Sequence, residues 1–494
     1  MINKTLRFWE IIPGASVWLT FAVLFFLSFK LPVAVAFFVL FYDLYWILKI
    51  LYLFFHLHSS FIKMREHESV NWISKLSKDF GPNWQSIYHL IILPMYKEPE
   101  RVVRETMKNL STTNYPKDKL FVVLATEERG GEEDSIISRK IEGEFAHIFG
   151  SFLVTRHPAN IPGEIPGKGS NEAWAAKEAM TKLIDSLGID DQKVLVSVFD
   201  VDTQPGQEYF GLLTHTFLSS PDGTHASFQP IPLFINNLYE TSMLARLIGL
   251  STTFWQLIQQ SRVEQLVTFS SHSMPLKALK EVGFWERDLV SEDSRIFFQL
   301  LNHYNGNWRT IPLYYPVYMD AVSGKNLLES LSNMYKQQRR WGWGAENISR
   351  FVRDVSRNKK IRLAKKIFWL QHLFSGFYSW ATSSFIIFIF GWAPVIFGGR
   401  DFQESVVGHN LPKITGGILN FSMIGFVGLA VVGFFLISPR LKNFRLRHYA
   451  LYALQWILTP VTTIVFGSLP ALDAQTRLIL GGKFRLGFWR TPKS

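Results

Sequence analysis

Two apolar runs near the amino terminus, 12–29 and 33–55, set the first limit on what this chain can fold into. Each approaches the roughly 20 residues that an α-helix needs to cross the hydrocarbon core of a bilayer. Only Lys30, Leu31 and Pro32 separate them, which predicts a helical hairpin. No small-residue cleavage site follows the first run, and the second begins at once, so a cleaved signal peptide is not expected. Apolar character returns at 367–397 and 414–437, again long enough to span. The basic stretches 357–366 and 440–448 flank this pair, whereas the connecting segment 398–413 is poor in Lys and Arg. Positive-inside reasoning therefore puts the connection outside and both flanks in the cytoplasm, with the polar middle of the chain. A last apolar stretch, 449–472, contains Pro460 and Pro470 and is followed by Arg477, Lys483, Arg485, Arg490 and Lys493. A full span there would leave a basic tail outside, so a re-entrant or interfacial segment is expected.

Composition agrees with a membrane protein: 48% of the 494 residues are hydrophobic, and the 43 Phe and 16 Trp suit interfacial rings. The net charge of +12 sits largely beside apolar stretches, where it reads as topology signal and lipid contact, and nucleic acid is not an expected partner. The absence of cysteine excludes disulfides, thiolate metal sites and cysteine nucleophiles. Between about 60 and 350 the chain is polar, and short runs at 90–93, 120–124 and 194–199 alternate with helical patterns. Each run ends at a polar or turn-forming segment, as strands buried on both faces of an α/β sheet do.

Three groups of residues carry chemistry. The run at 194–199 leads into Asp200-Val201-Asp202, and residues two apart on an extended chain point to one side, so both carboxylates can serve one site. Mg²⁺ or Mn²⁺ takes one or two carboxylates together with phosphate oxygens. Alone, the pair reads first as what opens the turn Thr203-Gln204-Pro205-Gly206. Downstream, Ser291-Glu292-Asp293 begins a helical pattern, where an acid serves either as a cap or as a positioned base. Gln337-Gln338-Arg339-Arg340-Trp341 precedes the membrane and reads either as an interfacial anchor or as a ring for a sugar beside a cation for a diphosphate.

In this order the three resemble the Asp-x-Asp, Thr/Ser-Glu-Asp and Gln-x-x-Arg-Trp motifs of membrane-bound family 2 glycosyltransferases, the group of the cellulose, chitin and hyaluronan synthases. The resemblance covers roughly 85–345. It implies an α/β nucleotide-sugar-binding domain of the GT-A type, Rossmann-like, with an α-helical transmembrane region. The expected division is a transmembrane hairpin at 1–58, a cytoplasmic GT-A domain at 59–325, interfacial helices with the Gln-x-x-Arg-Trp element at 326–366, and a transmembrane and re-entrant region with a basic cytoplasmic tail at 367–494. Residue by residue, it implies Asp200 on the nucleotide and the metal, Asp202 on the metal, and Asp293 as general base with Glu292 beside it. Gln337, Arg340 and Trp341 would hold the acceptor end and the donor phosphates; Pro94, Tyr96 and Glu98 would meet the nucleoside; Lys168 would reach toward the diphosphate. Where relatives end the second strand with an Asp that reads the base, this chain has Glu127, followed by Glu128 and Arg129. His272 is a candidate hydrogen-bond partner for an acceptor hydroxyl, against a purely structural role.

The resemblance implies inverting transfer from a nucleotide sugar, expected to be a UDP-sugar, with Mg²⁺ or Mn²⁺ as cofactor. The enzyme would be multi-pass in the plasma membrane, among membrane lipids, with its active site in the cytoplasm. A growing polysaccharide carried through the membrane is the first expected acceptor, and a lipid such as a polyprenyl phosphate, diacylglycerol or sphingoid lipid the second. A transporter or receptor that only binds nucleotides is a third reading, against which the complete set of acids stands.

Overall fold

The structure is a computed structural model describing residues 4–237, 241–437, 454–487 and 489–492. Its centre is one eight-stranded sheet: β1 (Tyr88–Pro94), β2 (Leu120–Glu127), β3 (Ser151–His157), β4 (Val194–Val198), β5 (Gln204–Pro205), β6 (Ala226–Phe234), β7 (His272–Pro275) and β8 (Arg309–Met319). The spatial order is β3-β2-β1-β4-β7-β6-β8-β5. The four strands from β3 to β4 are parallel, β7 runs antiparallel to both β4 and β6, and β6 and β8 are parallel. The three runs expected as strands are β1, β2 and β4.

Alternation along β1 divides the core. Ile91 and Leu93 face a layer that includes Val103, Met107 and Leu110 of the helix Glu100–Ser111, while Leu90 and Ile92 face Ala173, Ala176 and Ala179 of the helix Lys168–Ala179. Both layers are apolar because parallel strands lie under helices on either side. The carboxyl ends of β1, β2 and β4 then open on one edge, the edge at which ligands bind in open α/β sheets. The fold is an α/β domain of the GT-A type joined to an α-helical membrane region.

Among the described residues, Leu6–Lys30, Pro32–Glu68 and Gln455–Leu480 are long and apolar enough to cross a membrane, and Leu363–Phe388 with Phe390–Phe397, bent by 42°, makes a fourth candidate. The helix Val406–Ile437 carries the second C-terminal apolar run and lies along Pro32–Glu68, where Gly428 faces Phe54 and Gly425 faces Ile50. The turn of the hairpin meets the opposite end of the C-terminal helices, with Pro32 against Gly398. At the other end Glu68 accepts a hydrogen bond from the Tyr318 hydroxyl at 3.2 Å, which ties the hairpin to β8.

The last apolar segment departs from expectation in one respect. Residues 449–453 lie outside the described residues, but Gln455–Leu480 is helical throughout. Pro460 and Pro470 each occupy the first turn of a helical stretch, Thr459–Thr463 and Leu469–Leu480, and a wide π-turn at Ile464–Ser468 lies between them, so the missing N–H groups break nothing. Long enough to cross, the segment nevertheless meets the side of the sheet domain at both ends. Trp456 stacks on Phe254 at 5.6 Å, and Arg7 donates to the carbonyls of Leu478, at 2.6 Å, and Ile479. A tag inserted at Glu404 and a reporter fused after Ser494 should therefore read opposite sides of the membrane in a permeability assay; equal accessibility would overturn this arrangement.

Candidate active site

At the edge formed by β1, β2 and β4, short connections aim polar groups at one space. After β1, Lys97 adopts a left-handed backbone (φ 59°), and its N–H is held by the Asp134 carboxylate at 3.0 Å. The Glu98 carboxylate folds back onto the Tyr96 N–H. Glu127 closes β2, 4% exposed and paired with Arg129, whose guanidinium lies 4.6 Å from the centre of the Tyr96 ring. Burial pushes the Glu127 carboxyl up, and Arg129 pulls it back.

The centre of the site is Lys168, the first residue of its helix. Its ammonium lies 2.9 Å from Asp200, 2.9 Å from Asp293 and 3.5 Å from Glu172 one turn on. Burial alone would lower this lysine, but the surrounding carboxylates outweigh it and hold it well above its ordinary range, so it is charged. The helix can approach this closely because Gly169 has no side chain: a Cβ there would sit 2.8 Å from the Glu292 Cβ. Asp293 is further fixed through its carbonyl, which accepts the Thr268 hydroxyl at 2.5 Å. Ser270, itself left-handed (φ 46°), donates to Asp200 at 3.0 Å.

Carboxylate oxygens of Glu172, Glu292 and Asp293 come within 4.8 Å of one another. Glu172 and Glu292 are buried, at 0% and 1% exposure, whereas a quarter of the Asp293 side chain is exposed. Burial, then the charge of Asp293, pushes Glu292 up to about 8, and burial drives Glu172 well above the carboxylate range. Both carboxyls thus favour the protonated form more than an exposed carboxylate does.

A cavity of about 1100 Å³ opens on this cluster. Its wall includes Pro94, Tyr96, Glu98 and Glu127 at one end, Lys168, Asp200 and Asp293 in the middle, and Gln337, Arg340 and Trp341 beyond. Trp341 packs edge-on against Phe269 at 5.6 Å. Three expected site residues stand behind the wall. Asp202, 2% exposed, accepts the Asp320 N–H at 3.0 Å. Glu292 turns toward Lys168 and the protein interior. His272, fully buried, donates from Nδ1 to the Ser270 carbonyl at 3.1 Å, lies 4.0 Å from Asp293, and is held down to about 4 by burial. It stands beneath Asp293 and does not itself line the cavity.

All the carboxylate and carbonyl oxygens here are hard donors, and this set fits a divalent cation such as Mg²⁺ or Mn²⁺. Asp200, on the wall, is the residue best placed to share such an ion with a diphosphate. Sequence reasoning missed Glu172 and Arg490. A glutamate four residues after a lysine was the available signal for the first. Arg490 donates to the Tyr96 carbonyl at 3.0 Å and lies 3.7 Å from Glu98, a contact between residues almost 400 apart that only the fold reveals.

Glu292 should dominate the alkaline limb of activity. It is neutral below about 8, and above it a new negative charge appears beside Asp293, so transfer should fall as pH rises through about 8. With a folded pKa above the ordinary 4.5, its contribution to stability is complete below 4.5 and gone above about 8. Glu292→Gln, neutral at every pH, should flatten the alkaline limb and raise Tm above pH 8 relative to the wild type. An unchanged limb in the variant assigns the titration to another group.

Among solved structures, the chain is similar to the mannosyltransferase PcManGT from Pyrobaculum calidifontis in complex with GDP-Man and Mn²⁺, at 12% identity and TM-score 0.37, covering 83% of this chain and 99% of that one. It is also similar to S. aureus TarS 1–349 in complex with UDP-GlcNAc, at 12% identity and TM-score 0.39, covering 71% and 92%. No curated protein matches. The family model for glycosyl transferase family group 2 matches residues 195–467. That match spans more than half of the 494 residues and takes in Asp200, Asp293 and Trp341, so the chain belongs to glycosyl transferase family group 2.

Proposed function

We propose that the protein is an inverting glycosyltransferase that takes a sugar from a nucleotide sugar, a UDP-sugar on our reading, and transfers it to an acceptor hydroxyl with Asp293 as general base. The observation that carries this is one buried ammonium, Lys168, held 2.9 Å from both Asp200 and Asp293 on the wall of a large cavity. In an inverting displacement the acceptor oxygen bonds to the anomeric carbon while its proton passes to a carboxylate. The bond from that carbon to the diphosphate oxygen breaks, and its electron pair leaves with the nucleoside diphosphate. Asp293 suits the proton step because it reaches the cavity, whereas Glu172 and Glu292 are buried away from it and their carboxyls are pushed up by that burial.

Without donor, Lys168 neutralises the base. A diphosphate drawn to Lys168 and Arg340 competes for that ammonium and releases Asp293, so donor binding and base activation are linked. Asp200, on the wall, would hold a divalent cation with Asp202 close behind it, and the ion when bound would supply charge stabilisation to the leaving diphosphate. The active site would face the cytoplasm from the plasma membrane.

Between the two acceptors, one observation favours the lipid. The cavity wall runs from the acids to Trp380 of Leu363–Phe388 and to Thr462, Thr463, Phe466 and Gly467. Among the described residues it takes none from Lys4–Lys30 or from 389–437, which include the elements at the end remote from the catalytic domain. A path for an exported polysaccharide has to reach that end.

Asp293→Asn should keep donor affinity, measured by calorimetry, and lose transfer by roughly 10²- to 10⁴-fold in single turnover. Trp341→Ala should lose use of the acceptor before it loses hydrolysis of the donor by water. Normal turnover of Asp293→Asn together with a dead Glu292→Gln would move the base to the neighbouring acid; two active variants would sink the reading.

A further inference from the structure

The cavity has a second arm, between helices, that the transfer chemistry leaves unused. Tyr45, Lys49, Tyr52 and His56 recur at helical spacing on one face of Pro32–Glu68. Lys49, inside an otherwise apolar run, places its ammonium 4.5 Å from the Trp46 ring centre and 5.4 Å from that of Tyr45. One turn along, the Arg262 guanidinium lies 5.8 Å from the Tyr52 ring centre. Its approach is set by the preceding residue, since Ser261 bonds His56 at 2.8 Å. Arg262 donates to the Gln265 side chain while its Nε is buried with no hydrogen-bond partner, and neither cation forms an ion pair among the described residues; the nearby carboxylate is Glu264, whose charge reaches His56 and His372 together with that of Arg262. The acids of the cavity, Glu98, Glu127, Asp200 and Asp293, all belong to the catalytic end. Charged groups at membrane depth are costly, and two cations against the single carboxylate of Glu264, which stands off the cavity wall, leave net positive charge on that wall that favours an anion.

The same wall is open to the side. Leu48 and Tyr52 of Pro32–Glu68 and Trp255 of Met243–Gln260 line the cavity and yet are 59%, 47% and 49% exposed, so its outer end belongs to the surface that faces lipid. Inward from the cations the wall turns polar without charge, through Gln256, Gln259, Gln371 and Ser375.

We propose that this arm is an acceptor site for a membrane lipid whose headgroup carries a phosphate, with the apolar tail along the outer face at Leu48, the phosphate between Lys49 and Arg262, and a hydroxyl-bearing headgroup reaching toward Asp293. The direction of the headgroup rests on the glycosyltransferase reading; the anion site does not.

The test is native mass spectrometry of the full-length protein in micelles holding equal amounts of phosphatidylinositol and monoglucosyl diacylglycerol, two lipids with hydroxyl-rich heads of which only the first has a phosphate. Phosphatidylinositol should be retained preferentially. Lys49→Gln or Arg262→Gln should each reduce the preference about 5-fold and the double variant about 30-fold, while Lys49→Arg keeps it. Equal retention of both lipids, or a preference that survives the double variant, overturns the proposal. So does displacement of phosphatidylinositol by an equal concentration of inositol phosphate, which would assign the site to soluble anions. Calorimetry with a panel of nucleotide sugars separates the two readings: retention of the phospholipid without donor binding removes the glycosyltransferase and leaves the anion site, and the reverse removes the anion site alone.

Discussion

The ammonium of Lys168 is the interaction on which the catalytic domain is organised. It joins three elements that are far apart in sequence: the end of β4 through Asp200, the start of the helix Glu292–His303 through Asp293, and its own helix through Glu172. A buried charge is tolerated only when paired, and a cluster of acids this tight is tolerated only when some are protonated or a cation sits among them. Here both solutions are used. Burial pushes two of the acids toward their neutral form, two are paired with one lysine, and the arrangement remains poised for a ligand that brings its own negative charge.

The rest of the domain can be seen as the scaffold for that contact. Alanines let the Lys168 helix lie close on the sheet, and Gly169 lets it touch the neighbouring helix. The membrane region closes the site from above. Asp473, in the last apolar segment, binds Arg339 at 3.0 Å and Arg477 at 2.7 Å, and so fixes the helix that carries Gln337, Arg340 and Trp341.

Much of this was legible in the chain. β1, β2 and β4 stand out because strands covered on both faces are written as unbroken apolar runs, and their ends announce Tyr96, Glu127 and Asp200. What the sequence hides is the direction of side chains. Glu292 and Asp293 are adjacent, but successive residues on a helix point about 100° apart, so one faces the cavity and the other the interior. Glu172 looks like half of an exposed i, i+4 pair with Lys168 until a second helix covers it. His272 lies in a candidate loop but on the inner side of β7. Lys49 and Arg262 meet the same aromatic face from positions more than 200 residues apart, which no local pattern can report.

The contact of Arg490 with the backbone of Tyr96 and Lys97 has a consequence for biogenesis. The loop after β1 emerges from the ribosome early, whereas the arginine that braces it follows every candidate membrane helix among the described residues. The catalytic domain can therefore fold during synthesis and still lack one wall of its site until the last hydrophobic segment has docked. Completion of the site is thereby coupled to the docking of a segment made long after the sheet.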